Sequence, residues 1–357
     1  MVGSISPSLG KLKYLRLLKL ANLKRLTGTI PPELGKLLHL TDLLLSSNQL
    51  KGSIPASFQN LHKLNQLSLN DNLLSRSIPS TIGFLKNLDF LRLHNNMLTG
   101  KLPDSLGNLT NLYVLSASNN RLTGKIPPSL SNLICPIPCE LIKLNATLDS
   151  LYLSFNPLSL VNIPSWISKM SLGELHLART GLLGELPEWL SSTSLLDLDL
   201  SSNMLAGVLP AWIGNITSLV SLNISNNGFH SDIPIELMNL YLQNLDLHSN
   251  NFTGGLGSIF PKDHDLNQYS IIDLSYNMFV GRLDNIGNLG SMEYLETLVL
   301  SNNHLGGSMP ESFGKFRSLK TLKLENNGFT EPPFPASSFK GNSGLCDSPL
   351  PRCKTAW

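Results

Sequence analysis

Between Leu88 and Leu109 two hydrophobic rhythms follow one another. Leu88, Leu91 and Leu93 alternate with polar positions, the period of a short strand with one buried face. Asn96 follows three residues after Leu93. Then come Leu98, Gly100, Leu102-Pro103, Leu106-Gly107 and Leu109. The frame recurs: Asn48, Asn72, Asn96 and Asn120 lie 24 residues apart. A fixed period in the twenties with an L-x-x-L-x-L-x-x-N-x-L core predicts a solenoid of stacked coils.

Each part of the coil has a physical task. The strand leucines point inward and stack into rungs behind a continuous parallel sheet. The Asn carries donors and an acceptor, so it can satisfy backbone groups that the turn out of the strand leaves unpaired. Gly100 permits the next bend. Pro103 fixes φ where no ladder partner is needed. The returning half, DSLGNL, is expected to be a short helical or 3₁₀ turn. The predicted architecture is therefore an α/β repeat solenoid, a right-handed superhelix with a concave parallel β-sheet and a convex side of 3₁₀ and short helical turns.

Residues 2–14 match the second half of a coil, so the chain is expected to begin mid-coil as part of a longer parent. The first full strand carries Leu15, Leu18 and Leu20, with Leu23 at the ladder position and Asn22 a candidate to take that role. Arg76 stands where Gly is expected, which predicts a strained or reshaped bend. The period breaks between Asn120 and Asn156, where residues 133–147 read as a half-coil without a strand. The ladder then continues through Asn156, Thr180, Asn203, Asn227, Asn250, Asn277, Asn303 and Asn327. Wider spacings imply small loops around 262–267 and 287–291. The count is thirteen strands, one elongated repeat domain over 1–330, and a Pro- and Ser-rich cap over 331–357.

Composition narrows the function classes. The net charge is +2 over 357 residues, which gives no argument for nucleic acid or an anionic membrane. No apolar run reaches the ~18 residues of a membrane helix, and MVGSISPSLG lacks the long apolar stretch of a secretory signal. The four cysteines form two close pairs. A disulfide is expected between Cys346 and Cys353, which implies an oxidising compartment. Cys135 and Cys139 read as a small disulfide, as two unpaired thiols or as an accident of gene structure. A zinc site is not expected, because no second Cys or His pair stands at ligand spacing.

The full repeat, L-x-x-L-x-L-S-x-N-x-L-x-G-x-I-P-x-x-L-G-x-L, is carried by Leu40–Leu61 and Leu195–Ile216. Its I-P-x-x-L-G half resembles the plant extracellular subfamily of leucine-rich repeats. The tail Phe339, Gly341-Asn342, Gly344-Leu345-Cys346, Pro349-Leu350, Cys353 resembles the C-terminal cap of plant receptor-like proteins and receptor kinases. Residues Phe155 to Pro234 are most similar to those members that have repeats and caps but no kinase. The extra residue in LKRLTGTIPPELGKL is similar to polygalacturonase-inhibiting proteins. The resemblance implies an extracellular, cell-wall or plasma-membrane-associated location, although the family's signal peptide and cysteine-paired N-terminal cap are not found in this sequence.

The position between the two inner leucines reads Lys19, Leu44, Ser68, Arg92, Ser116, Tyr152, His176, Asp199, Asn223, Asp246, Asp273, Val299, Lys323. It is basic early, aromatic in the middle and acidic late. Phe90, Arg92, Tyr113, Tyr152, Phe155, His176 and Arg179, all expected on exposed strand positions, form the candidate ligand-binding patch, since aromatics and Arg dominate binding hot spots. Asp199, Asp246 and Asp273 are open to water with no pocket to shift a pKa, so no catalytic residue, cofactor or metal is assigned. Five N-x-S/T sequons, at Asn108, Asn145, Asn215, Asn223 and Asn251, are candidate glycosylation sites if the chain is secreted. The expected function is recognition of a protein, a peptide or a wall glycan, with a receptor-kinase co-receptor or a secreted glycosidase as possible partner. The alternatives are an inhibitor of a secreted glycan-degrading enzyme and a structural wall protein or truncated gene product.

Overall fold

The computed structural model describes residues 3–133, 148–260, 269–283, 292–308, 313 and 316–329. The chain divides into two compact units, Met1–Leu182 and Leu183–Trp357, and both are built from the same coil. In the first unit the main sheet has seven parallel strands in chain order: Leu17–Lys19, Asp42–Leu44, Gln66–Ser68, Phe90–Arg92, Val114–Ser116, Ser150–Tyr152 and Glu174–His176. In the second unit six follow: Asp197–Asp199, Ser221–Asn223, Asn244–Asp246, Ile271–Asp273, Thr297–Val299 and Thr321–Lys323. Among the described residues the main-sheet strands number thirteen across the two units.

The strands form because alternate residues are driven inward. Leu43, Leu67, Leu91, Leu115, Leu151 and Leu175 are completely buried, as are Leu45, Leu69 and Leu93 two residues on. Each such side chain contributes about 1.5–3 kcal/mol when removed from water. One register holds throughout. Lys19 pairs with Leu44, Leu44 with Ser68, Ser68 with Arg92, Arg92 with Ser116, Ser116 with Tyr152 and Tyr152 with His176. In the second unit Asp199, Asn223, Asp246, Asp273, Val299 and Lys323 pair in the same succession. The position read between the inner leucines is thus a single row of neighbours within each unit.

Residues 134–147, with Cys135, Cys139 and Asn145, lie outside the described residues. Their flanks meet: the Leu148 amide donates to the Leu133 carbonyl at 3.4 Å, and Val114–Ser116 pairs directly with Ser150–Tyr152. The two loops expected around 262–267 and 287–291, and the cap over 331–357 with Cys346 and Cys353, also fall outside them. Among the described residues no helix is long and apolar enough to cross a membrane.

Past most ladder residues the chain forms a second parallel strand. Six such strands pair in the first unit, among them Leu73–Arg76, Met97–Gly100 and Arg121–Leu122. In the second unit they form one group of four, Leu183–Gly184 to Asn251–Thr253, and one of three, Val280–Arg282 to Gly328–Phe329. Strands such as Gln49–Gly52, Leu73–Arg76 and Met97–Gly100 each hold a single buried residue, so no alternating pattern reveals them. The coil then closes through a five-residue 3₁₀ turn behind a proline, as in Asp104–Asn108 after Pro103. The glycine of the L-G pair is there for lack of room. A Cβ on Gly107 would sit 2.1 Å from the Ser129 carbonyl oxygen of the next coil.

The ladder asparagines hydrogen-bond backbone groups of two coils. Asn120 is buried, and its Nδ2 donates to the carbonyls of Ala117 at 3.1 Å and Ser118 at 3.2 Å. It also reaches back to Leu93 of the preceding coil at 3.0 Å, while its Oδ1 accepts the Leu98 amide at 3.0 Å. Thr180 keeps part of this, its hydroxyl donating to the Leu177 carbonyl at 2.7 Å. Asn22 does not take the ladder role. It occupies the position one residue earlier with φ 59, and the Leu23 amide beside it is served by Asn48 Oδ1 at 3.0 Å. That earlier position is left-handed in coil after coil: Ser47, Asp71, Asn95 and Asn119, then Ser202, Asn226, Ser249, Tyr276, Asn302 and Asn326. Asn and Asp, with short polar side chains, are the non-glycine residues that tolerate this backbone best. Arg76 keeps the glycine-like φ of 72, so the expected strain is retained rather than relieved by a differently shaped bend.

Candidate recognition surface

All seven residues of the predicted patch lie in the first unit, on four consecutive coils. Phe90 and Arg92 stand on one strand, Tyr152 and His176 on the next two but one in the row, and Tyr113 immediately before Val114–Ser116. Phe155 and Arg179 are placed differently from expectation. They lie beyond their strands, in the turn, at the left-handed position with φ 57 and 52. The reason is the frame: each precedes a ladder residue, Asn156 or Thr180.

The side chains gather into three neighbouring groups. The Phe90 and Tyr113 rings meet edge to face at 6.0 Å, and the Arg92 guanidinium lies 4.7 Å from the centre of the Phe90 ring. Tyr152 and His176 meet edge to face at 4.8 Å, and the Tyr152 hydroxyl donates to the Glu174 carboxylate. Phe155, 43% exposed, and Arg179 border an open cleft of about 520 Å³ with Asn119, Asn120, Asn156 and Pro157. Offset aromatic and cation–π pairs of this kind are each worth roughly 0.5–1.5 kcal/mol beyond burial, so the rings are held ready rather than free to rotate away.

Charge is sorted along the strand direction. Asp89, Asp149 and Glu174 sit at or just before the first strand residue, Arg92 and Arg179 toward the far end and the turn. Burial pushes the Asp89 carboxyl up, offset in part by its hydrogen bond with Asn65. The Tyr113 hydroxyl is also raised, first by burial and then by the charge and hydrogen bond of Asp149 and the charge of Glu174. Burial lowers His94, whose Nδ1 lies 2.9 Å from Ser116 Oγ; nearby Asp71 raises it and Arg92 lowers it further. These three acids are the residues that the sequence reading did not select. Their signal was their common place in the frame.

The late acidic row has a structural task. Asp199 Oδ1 accepts the Ser201 amide at 3.0 Å, and Asp273 Oδ1 accepts the Ser275 amide at 3.0 Å and its hydroxyl at 2.6 Å. Such local bonds tie the chain into its turn. Asp246, His248 and Asp273 offer ligand-type atoms within 4.8 Å of one another. Both ring nitrogens of His248 are already engaged, Nδ1 with Asp246 Oδ1 at 2.6 Å and Nε2 with the Asn226 amide at 2.9 Å. Of the sequons, Asn108 and Asn215 are exposed at the ends of 3₁₀ turns, and Asn251 is exposed at the start of a short strand. Asn223 is half-buried in the main sheet, its Oδ1 accepting from Ser225.

Residues 4–204 match the leucine-rich repeat region family, and residues 194–216, 218–240, 241–262 and 294–316 match single leucine-rich repeats. The chain belongs to the leucine-rich-repeat proteins. Plant receptor-like proteins and receptor-kinase ectodomains are among the proteins it is similar to. Receptor-like protein 41 of Arabidopsis thaliana is 32% identical over 118 residues, which are 32% of this chain and 13% of that protein. The ectodomain of the Arabidopsis receptor kinase HAESA, solved with an N-terminally extended IDA peptide hormone, is 31% identical, with TM-score 0.74 over 98% of this chain and 60% of that one. The ectodomain of GASSHO1/SCHENGEN3 from Arabidopsis thaliana, in complex with CASPARIAN STRIP INTEGRITY FACTOR 2, is 33% identical, with TM-score 0.69 over 96% of this chain and 45% of that one. The chain therefore spans about half the length of these ectodomains.

Proposed function

We propose that the chain is a non-catalytic extracellular recognition module of plant cells, and that the surface from Phe90 to Arg179 holds an extended peptide or protein segment. One observation carries this reading. Phe155 and Arg179 are large side chains on successive coils, held in a left-handed backbone where the other coils, Tyr276 apart, use Asn, Asp or Ser. That conformation costs an L-residue about 1–2 kcal/mol, and retained strain of this sort clusters at ligand sites. The cost aims an aromatic and a guanidinium at one cleft. Support also comes from HAESA, which is described in complex with the peptide hormone IDA and the co-receptor SERK1; a co-receptor kinase is the corresponding partner here.

The test is affinity capture from plant extracellular fluid by the secreted protein, with the variants Phe155→Asn, Arg179→Asn, Tyr152→Ala and Lys323→Ala. A true partner is retained by Lys323→Ala and loses about 2 kcal/mol, near thirtyfold in affinity, with each of the others. A partner retained equally by all four variants, or lost only with Lys323→Ala, refutes the site.

A further inference from the structure

A different surface of the first unit gathers cationic side chains around an open cavity. It lies where each 3₁₀ turn runs into its strand. In four successive coils this turn reads Lys11-Leu12-Lys13-Tyr14, Lys36-Leu37-Leu38-His39, Asn60-Leu61-His62-Lys63 and Phe84-Leu85-Lys86-Asn87. Five lysines and two histidines occur in these sixteen positions, and no carboxylate. The chain as a whole is nearly balanced at +2, so the sorting is local.

The first two turns enclose an open cavity of about 450 Å³, lined by Gly10, Lys11, Lys13, Tyr14, Lys36, Leu38 and His39. Its lining joins exposed apolar side chains, Tyr14 and Leu38, with three lysines. Tyr14 is 86% exposed and Leu38 54% exposed. The Tyr14 ring is set against His39 at 5.8 Å, and His39 Nδ1 lies 3.1 Å from the Lys13 carbonyl, which ties the two turns together. Gly10 keeps one wall close, since a Cβ there would stand 2.3 Å from the Glu33 carbonyl oxygen. Among the described residues Lys11, Lys13 and Lys36 have no ion-pair partner within salt-bridge distance.

We propose that this cavity and its lysine rim dock an acidic linear segment of a partner protein, with one large apolar side chain in the cavity and carboxylates to either side. Charge complementarity argues for an acidic occupant, since lysine clusters steer and hold anions. The exposed Tyr14 and Leu38 argue for an apolar residue among those acids, because a rim of cations alone gives no reason for an aromatic left in water. The site is separate from the Phe90–Arg179 surface and does not depend on it.

The probe is a fluorescein-labelled peptide, acetyl-Glu-Asp-Phe-Glu-Asp-amide, titrated against the full chain by anisotropy. The expected result is saturable binding that weakens with salt, falls at least tenfold with Lys11→Glu/Lys36→Glu, and falls at least fivefold with Tyr14→Ser. The peptide with Gln and Asn in place of its acids, and the one with Ala in place of Phe, should each bind at least tenfold more weakly. All substituted residues are exposed, so melting curves should superimpose and separate lost binding from lost fold. Binding unchanged by the double charge reversal overturns the proposal. So does equal binding of the Ala peptide, or equal competition by polyaspartate, since either shows that the surface reads charge alone.

Discussion

The Nδ2 of Asn96 donates to the carbonyl of Leu69, 27 residues earlier and one coil back, at 3.0 Å. Its Oδ1 accepts the amide of Leu74 in that same coil at 2.9 Å, and its Nδ2 also serves its own Leu93 at 3.0 Å. One side chain therefore completes the hydrogen bonding of two coils. Asn96→Ala leaves the buried Leu74 amide unpartnered and removes one of two side-chain donors to the Leu69 carbonyl, which keeps Asn72 Nδ2 at 3.1 Å. At about 1–3 kcal/mol for an unsatisfied group, the expected loss is about 2 kcal/mol in urea unfolding, and a loss below a few tenths would remove the ladder's structural role.

Gly107 should tolerate nothing larger. A Cβ there meets the Ser129 carbonyl oxygen at 2.1 Å, a backbone atom that cannot swing aside. Gly107→Ala is expected to cost about 3 kcal/mol by overpacking. Gly257 has nothing within 4 Å of the same ideal position and no left-handed φ, so Gly257→Ala should leave the melting temperature unchanged and serves as the control.

Arg76 holds φ 72 at a position where glycine bears no steric penalty. The left-handed cost of about 1–2 kcal/mol outweighs the roughly 0.5–1 kcal/mol of chain entropy that glycine loses on folding. Arg76→Gly should raise stability by about 0.5 kcal/mol. A lower denaturation midpoint for the variant would contradict the strain.

His248 supplies a pH dependence of known sign. Its hydrogen bond with Asp246 raises its pKa above 6.5; burial opposes this, and the charges of Asp246 and Asp273 add to it. A raised folded pKa favours the protonated folded state. The extra stability is present in full below the unfolded value of about 6.5 and is lost as pH rises through the folded value. Comparing urea unfolding at pH 5.5 and 8.5 should show wild type losing this increment at the higher pH, while His248→Gln shows none of it. An unaltered pH difference in the variant would rule His248 out as its source.

The sequence made the coil legible because leucine and Asn are forced by burial and by unpaired backbone groups, two demands that do not vary along a solenoid. The row from Lys19 to His176 was therefore readable residue by residue, and so was the row from Asp199 to Lys323. The turn before the ladder was harder. Phe155 and Arg179 look like exposed strand residues until the backbone at Ser47, Asp71 and Asn95 is seen to be left-handed; the run of small polar residues at that place was the available clue. Asp89, Asp149 and Glu174 escaped notice because their significance lies across coils, where Asp149 meets Tyr113 and Glu174 meets Tyr152. Spacing along one chain does not show which acid faces which ring.

Because each ladder side chain reaches backward, a coil is unfinished until its successor exists. Leu50 waits for Asn72, Leu74 for Asn96, Leu98 for Asn120 and Leu122 for Asn156, the last across 34 residues rather than 22. During synthesis every newly made turn thus stays open for about one repeat of further translation, and for longer at Leu122. The first unit consequently carries a built-in direction: its ends are not equivalent, and a chain stopped at any coil leaves its last turn with amides that only the missing Asn could close.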